Sequence, residues 1–434
     1  MRVGYLARSA IGAGAAANAL RPMSASVAAL PAFFSGWLTS ELAPQLIAAH
    51  AADSVWQIAR GRTRTRAARA GLVLSAGAIA GLAMTTRRAL GARAVVDDVL
   101  KELTDATDAP DATHAAAAVL PRPWRQIARP FRLRRAGVRR TAGVAYGPAG
   151  FRNLLDVYAA ADVAPGDRRP VLVQIHGGAW VVGRKDQQGL PTMFERAAAG
   201  WVCVAPNYRL SPRATWPDQL VDVKRALAWV RECIDDFGGD PDFVAVTGGS
   251  AGGHLAAMVA LTANDPAYQP GFEQADTTVQ ACVPHYGVYD LANTAGDKRA
   301  RVRTHFFSRA VLKRPVSDTD AFEAASPLCL VDAAAPPFFI LHGSNDTLVP
   351  VAEARRFVAR LRATSRQRVL YAELPGTQHA YDVFHSIRST SVIAAVGRFL
   401  DWAYTDATAR PAPPRPGDGT ADRQSVAPGS LTAL

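Results

Sequence analysis

Three residues in the second half of the chain have the types and order of a nucleophile, an acid and a base. They are Ser250, Asp346 and His379. Ser250 lies in "GGSAGG", residues 248–253, between the apolar run Phe243–Val246 and the helical spacing of Leu255, Met258 and Val259. The glycines therefore sit on a strand-to-helix turn. A dinucleotide fingerprint fits poorly, because Ser250 stands where the second glycine must admit a pyrophosphate. A phosphate loop fails for want of a Gly-Lys-Ser/Thr ending. G-x-S-x-G is satisfied by Gly248, Ser250 and Gly252, which makes Ser250 a candidate nucleophile on a strained elbow. A structural serine on a glycine-rich turn fits these residues equally well, so the rest of the chain has to decide.

Upstream, "HGGAW" (His176–Trp180) follows the apolar run Val171–Ile175. Two glycines there turn backbone N–H groups toward a cavity, where they can hold an oxyanion. Downstream, Asp346 stands in "HGSNDTLVP" (342–350), four residues beyond Phe338 to Leu341. A carboxylate so placed orients an imidazole, or caps the following helix. His379, in "LPGTQHAYD" (374–382), follows the last apolar run and can act as general base. A lone loop histidine means little. The order Ser…Asp…His, each beyond a strand, with a glycine loop upstream, means considerably more.

These positions require a mainly parallel sheet, because sites in such sheets gather beyond the carboxyl ends of the strands. Apolar runs at Leu154–Tyr158, Val171–Ile175, Val202–Ala205, Phe243–Val246, Val279–Val283, Phe338–Leu341 and Val369–Ala372 predict the strands. Asp218–Phe237 predicts a long helix, with Leu220, Val223, Leu227, Val230 and Ile234 on one face. The fold class is α/β, with helices covering the sheet over residues 143–408.

The net charge of +12 has the look of a nucleic-acid binder, but residues 1–145 carry 20 Lys/Arg against 8 Asp/Glu, and the remainder balances. No nucleic-acid partner is expected at the chemistry. Cys203, Cys233, Cys282 and Cys329 form no C-x-x-C pair, so neither a zinc site nor a disulfide framework is indicated. Residues 1–142 read as an Ala/Arg-rich helical extension. Its two uncharged stretches, 23–40 and 70–86, flank five arginines between Arg60 and Arg69. They fit a membrane hairpin or a helical cap packed on the catalytic part. "PRPWRQIARPFRLRRAGVRR", residues 121–140, mixes eight arginines with aromatic and aliphatic residues. It suits an anionic lipid surface, or a solvated linker. A membrane-associated or cell-envelope location is expected, with a cytoplasmic one as the alternative. Residues 409–434 form a Pro/Gly-rich tail without the means to build a core.

"HGGAW", "NYRLSP" (207–212), "GGSAGG", "HGSNDTLVP" and "QHAYD" together resemble the α/β-hydrolases, in the hormone-sensitive-lipase-like carboxylesterase branch with its Lip-type esterases. The resemblance covers about residues 143–405. It implies Ser250 as nucleophile, His379 as base, Asp346 as acid, and the N–H groups of Gly177, Gly178 and Ala251 as oxyanion hole. It implies hydrolysis of a small-molecule or lipid ester through an acyl-enzyme, with no metal or organic cofactor. Ala179 stands where the branch commonly has a third glycine, and Gly249 where it commonly has Asp. Trp180, His285 and Tyr286 are candidates for the substrate pocket. Asp290 and Asp382 are fallback acids, and His385 is a fallback base. An arylformamidase or other small-amide hydrolase is the enzymatic alternative. A catalytically silent, membrane-tethered binding module is the alternative of another class.

Overall fold

The computed structural model describes residues 4–23, 29–104, 124–298 and 300–409. The tail from residue 410 therefore lies outside the described residues. Four helices open the chain: α1 (Tyr5–Leu20), α2 (Ala29–Glu41), α3 (Ala43–Ala59) and α4 (Arg66–Thr104). After the short α5 (Trp124–Ala128) come β1 (Val138–Ala145), β2 (Leu154–Ala160) and β3 (Arg169–Ile175). Next are α6 (Leu190–Ala198), β4 (Val202–Pro206), α7 (Asp218–Cys233), β5 (Gly239–Gly249), α8 (Ala251–Leu261) and β6 (Ala281–His285). The chain then runs through α9 (Ala300–Phe306), α10 (Thr319–Glu323), β7 (Phe338–Gly343), α11 (Val351–Thr364), β8 (Val369–Leu374) and α12 (Ile387–Ala409).

The eight strands form one sheet in the order β1-β2-β4-β3-β5-β6-β7-β8. β1 and β2 pair antiparallel, as do β2 and β4, and every pairing from β4 through β3 to β8 is parallel. All seven expected strands are present. β1 was not foreseen. It is an edge strand with most of its residues exposed, including Arg139 and Arg140, so it lacks the apolar run that marks its neighbours. The sheet thus begins at Val138, upstream of residue 143.

Alternation along each strand feeds two cores. Val171, Val173 and Ile175 of β3 face one core, with Leu220, Val223 and Leu227 of α7 and Phe357 of α11. Leu172 faces the other, with Phe339 of β7, Val396 and Phe399 of α12, and Ala92, Val96 and Leu100 of α4. The N-terminal extension therefore belongs to the hydrolase core through the second half of α4.

α2 packs against the catalytic part through Phe33 and Glu41. Its described residues number 13. Its last residue, Glu41, is ion-paired with Arg388 of α12, and neither side chain is exposed. Ser386 Oγ donates to the same carboxylate at 2.6 Å. α4, at 39 residues, is long and apolar enough to cross a membrane, yet its end is packed in the second core.

Glu41→Ala leaves the Arg388 charge buried without its partner. We expect a loss of about 3–5 kcal/mol, read as a lower urea midpoint at unchanged slope. The double replacement Glu41→Leu/Arg388→Met should recover most of it.

Candidate active site

β5 ends at Gly249 and α8 begins at Ala251, so Ser250 alone makes the turn. Its backbone stands at φ 58°, ψ −121°, a region that a residue with a Cβ occupies only under constraint from its surroundings. The constraints are visible. Ser250 N–H donates to His285 O at 3.0 Å. A Cβ on Gly252 would collide with Ile175 O on the neighbouring strand.

Asp346 and His379 leave adjacent parallel strands, β7 and β8. His379 Nδ1 lies 2.6 Å from Asp346 Oδ2. A carboxylate only accepts, so Nδ1 carries the proton and Nε2 is free to take one. Asp346 Oδ1 accepts the N–H groups of Leu348 (2.9 Å) and Val349 (2.8 Å). Gln378 Oε1 accepts from Thr347 N and from His379 N, pinning the two loops together. Burial by itself would raise the pKa of Asp346. The His379 charge and the hydrogen bonds from His342 and His379 outweigh it and hold the carboxyl well below its ordinary range.

The glycine loop leaves β3 beside the nucleophile, where a Cβ on Gly177 would lie 3.3 Å from Ser250 Cβ. Gly178, Ala179 and Trp180 all have positive φ, so Ala179 adopts the left-handed turn without a third glycine. The Gly177 N–H donates to Gln188 Oε1 at 2.8 Å. In this structure the donor expected in the oxyanion hole is held by a side chain. Among the described residues, the Gly178, Ala179 and Ala251 N–H groups have no acceptor in the protein. His176 is not catalytic. It is buried, donates from Nδ1 to Gly177 O, stacks on Tyr208, and has its pKa pushed down to about 4 by desolvation.

Each of the three pocket candidates is buried and packed on its neighbours. Trp180 is 2% exposed, donates to His254 Nδ1 at 3.3 Å and packs on Phe307. His285 Nδ1 lies 3.0 Å from Tyr381 Oη. Tyr286, at φ 37°, donates its hydroxyl to Asp382. Its ring centroid is 4.5 Å from that of His379, and its Oη lies 2.5 Å from where a Gly249 Cβ would sit. A side chain at 249 would displace Tyr286, which accounts for the glycine before the nucleophile. Of the fallback groups, Asp382 serves Tyr286 and Asp290 serves Thr294 and Arg356. His385 faces a different cleft.

Sequence reasoning passed over His342, Gln378 and Phe33. Phe33, on α2, meets the His379 ring edge-on at 5.9 Å. No sequence signal marks it, since it is one apolar residue in an apolar helix more than three hundred positions away.

Comparison with known proteins places the chain among ester hydrolases. The BD-FAE family model matches residues 155–361. The esterase LipQ of Mycobacterium tuberculosis is 44% identical over 383 residues, covering 85% of this chain and 84% of LipQ. LipM of the same organism, a probable carboxylic ester hydrolase, is 43% identical over 93% of this chain and 94% of its own length. Esterase 2 of Thermogutta terrifontis, a solved structure, superposes with a TM-score of 0.50 at 25% identity. It covers 64% of this chain and 97% of that one.

The depressed Asp346 pKa has a signed consequence for stability. A carboxylate more acidic in the fold than in the unfolded chain stabilises above its ordinary pKa, and that contribution is lost as pH falls through the folded value. The stability difference between wild type and Asp346→Asn should be full at pH 6–7, where about pH 4 marks the ordinary carboxylate. Denaturant melts should show it shrinking below that point.

Proposed function

The chain belongs to the Lip-type carboxylesterases of the hormone-sensitive-lipase-like α/β-hydrolases, and we propose that Ser250, His379 and Asp346 are the triad of this serine esterase. The observation that carries the assignment is the 2.6 Å contact between His379 Nδ1 and a fully buried Asp346. His379 takes the Ser250 proton on Nε2 as Oγ attacks the ester carbonyl carbon. Asp346 holds the tautomer and stabilises the imidazolium. The carbonyl oxygen becomes an oxyanion facing the Gly178 and Ala251 N–H groups, with Ala179 as the next amide of the same turn. Gly177 joins them only when Gln188 lets its N–H go. His379 then protonates the leaving alcohol, and water attacks the acyl-enzyme by the same route in reverse.

Two neighbours shape this chemistry. Tyr286 is a positioning residue: burial, then the Asp382 charge, raise its pKa, so it keeps its proton and donates it to Asp382. Its ring packs on the imidazole, while the preceding carbonyl holds Ser250 N–H. Phe33 adds an apolar edge-on contact to the imidazole, contributed by the N-terminal helices. The functional unit is therefore the hydrolase domain together with α1–α4. The outward face of α2 carries Leu30, Phe34 and Leu38, one turn apart and all exposed. We assign that stripe to a lipid surface, which places the enzyme on a membrane and its substrate among acyl esters.

Hydrolysis of p-nitrophenyl esters by the full chain tests the triad. Ser250→Ala should lower kcat at least about 10,000-fold with the fold intact by circular dichroism. Activity that survives the replacement would remove Ser250 from the mechanism. Tyr286→Phe deletes only the hydroxyl bonded to Asp382. It should cost about tenfold in kcat at unchanged KM and move the acid limb of the pH–rate profile. A matching rise in KM would instead make Tyr286 a substrate contact.

A further inference from the structure

We propose that the cleft between the segment 124–136 and α6 binds the phosphate headgroup of an anionic lipid. The cleft has a volume of about 720 Å³. Arg125, Arg129, Arg132 and Arg134 line it, all exposed, and among the described residues none of the four has an acidic partner. Its one acid, Glu195, is already paired with Arg135. His385 completes the lining. It is 5% exposed, and its Nδ1 has no hydrogen-bond partner among the described residues. Four unpaired guanidiniums around one space form a concentrated positive field with forked donors, the geometry that matches phosphate oxygens. The buried imidazole adds a hydrogen bond. Burial lowers its pKa, so it adds no charge at neutral pH.

The surroundings distinguish a lipid phosphate from a free one. Phe131 and Trp124 stand 66% and 57% exposed on the same segment, next to the arginines. Aromatic rings beside cationic side chains suit the boundary between headgroups and acyl chains, and a soluble phosphate gives them nothing to bury against. The cleft is also joined to the catalytic centre by ring contacts. Phe131 packs on Phe384 (5.0 Å), Phe384 on Trp37 (5.6 Å), Trp37 on Phe33 (5.7 Å), and Phe33 on His379 (5.9 Å). A headgroup seated among the arginines would bring the apolar stripe of α2 and the mouth of the site to the same lipid surface. The proposal rests on the assignment of that stripe to a membrane, and it adds the chemical selectivity.

The test is flotation of the full chain with phosphatidylcholine vesicles, with and without phosphatidylglycerol. Wild type should bind the phosphatidylglycerol vesicles more tightly, and salt should weaken the difference. Arg129→Gln/Arg132→Gln should weaken that binding about 25-fold, at about fivefold per basic side chain, and leave turnover of a soluble short-chain ester unchanged. Equal binding of wild type and variant would remove the cleft from lipid recognition. Equal binding to both vesicles would overturn the headgroup site and leave the membrane assignment standing. No vesicle binding, with inorganic phosphate raising the Tm of wild type and not of the variant, would overturn both in favour of a soluble phosphate ligand. Tighter binding to a DNA duplex than to either vesicle would overturn the lipid class altogether.

Discussion

The site depends on one buried carboxylate being kept charged. Asp346 has no solvent to stabilise it, and desolvation alone would favour its protonated form. Two backbone N–H groups, a neighbouring imidazole and His379 replace the lost water. Each donor has to be aimed at a particular oxygen, so the loops after β7 and β8 have little freedom. Gln378 ties one to the other. The parallel pairing of the two strands brings their loops out at the same edge, where this is possible.

The same economy runs through the neighbouring segments. The end of β6 holds Ser250 through the His285 carbonyl, and the next residue, Tyr286, packs its ring on His379. A single glycine, Gly249, leaves room for that ring. Substitution at 249 would therefore act on His379 without touching it. His176 and His254 are buried, each holds a backbone carbonyl, and burial keeps both neutral, so neither competes as a base. The N-terminal helices are part of this arrangement. α4 contributes to the second core, Glu41 anchors α2 through a buried ion pair, and Phe33 reaches the imidazole. An extension that would be a plain membrane tether has no need of any of these contacts.

Much was legible before the coordinates. The six inner strands and the edge strand β8 each carry an apolar run, because helices cover the faces of the sheet they belong to. The order Ser250, Asp346, His379 and the HGG loop follow from chemistry that demands particular atoms at strand ends. Helix α7 was legible from its periodicity, though it ends at Cys233 and gives way to a tight turn at Ile234–Phe237 where the sequence reading continued the helix. What escaped was β1, whose exposed edge looks like a loop, and the fate of Trp180, His285 and Tyr286. Their residue types suit a pocket as well as a core, and only neighbours decide between them.

The sequence by itself determined seven of the eight strands, the family and the three candidate residues of the site, because those signals are local: a period of two, a glycine pattern, a residue type beyond a strand. The tertiary structure decided everything that depends on distance between remote segments. It alone brings Phe33 to His379, Glu41 to Arg388, and Gln188 to the Gly177 N–H that the motif had assigned to the oxyanion. Pairings of that kind are set by packing and by the need to satisfy buried polar groups. Neither leaves a mark in the spacing of residues along the chain.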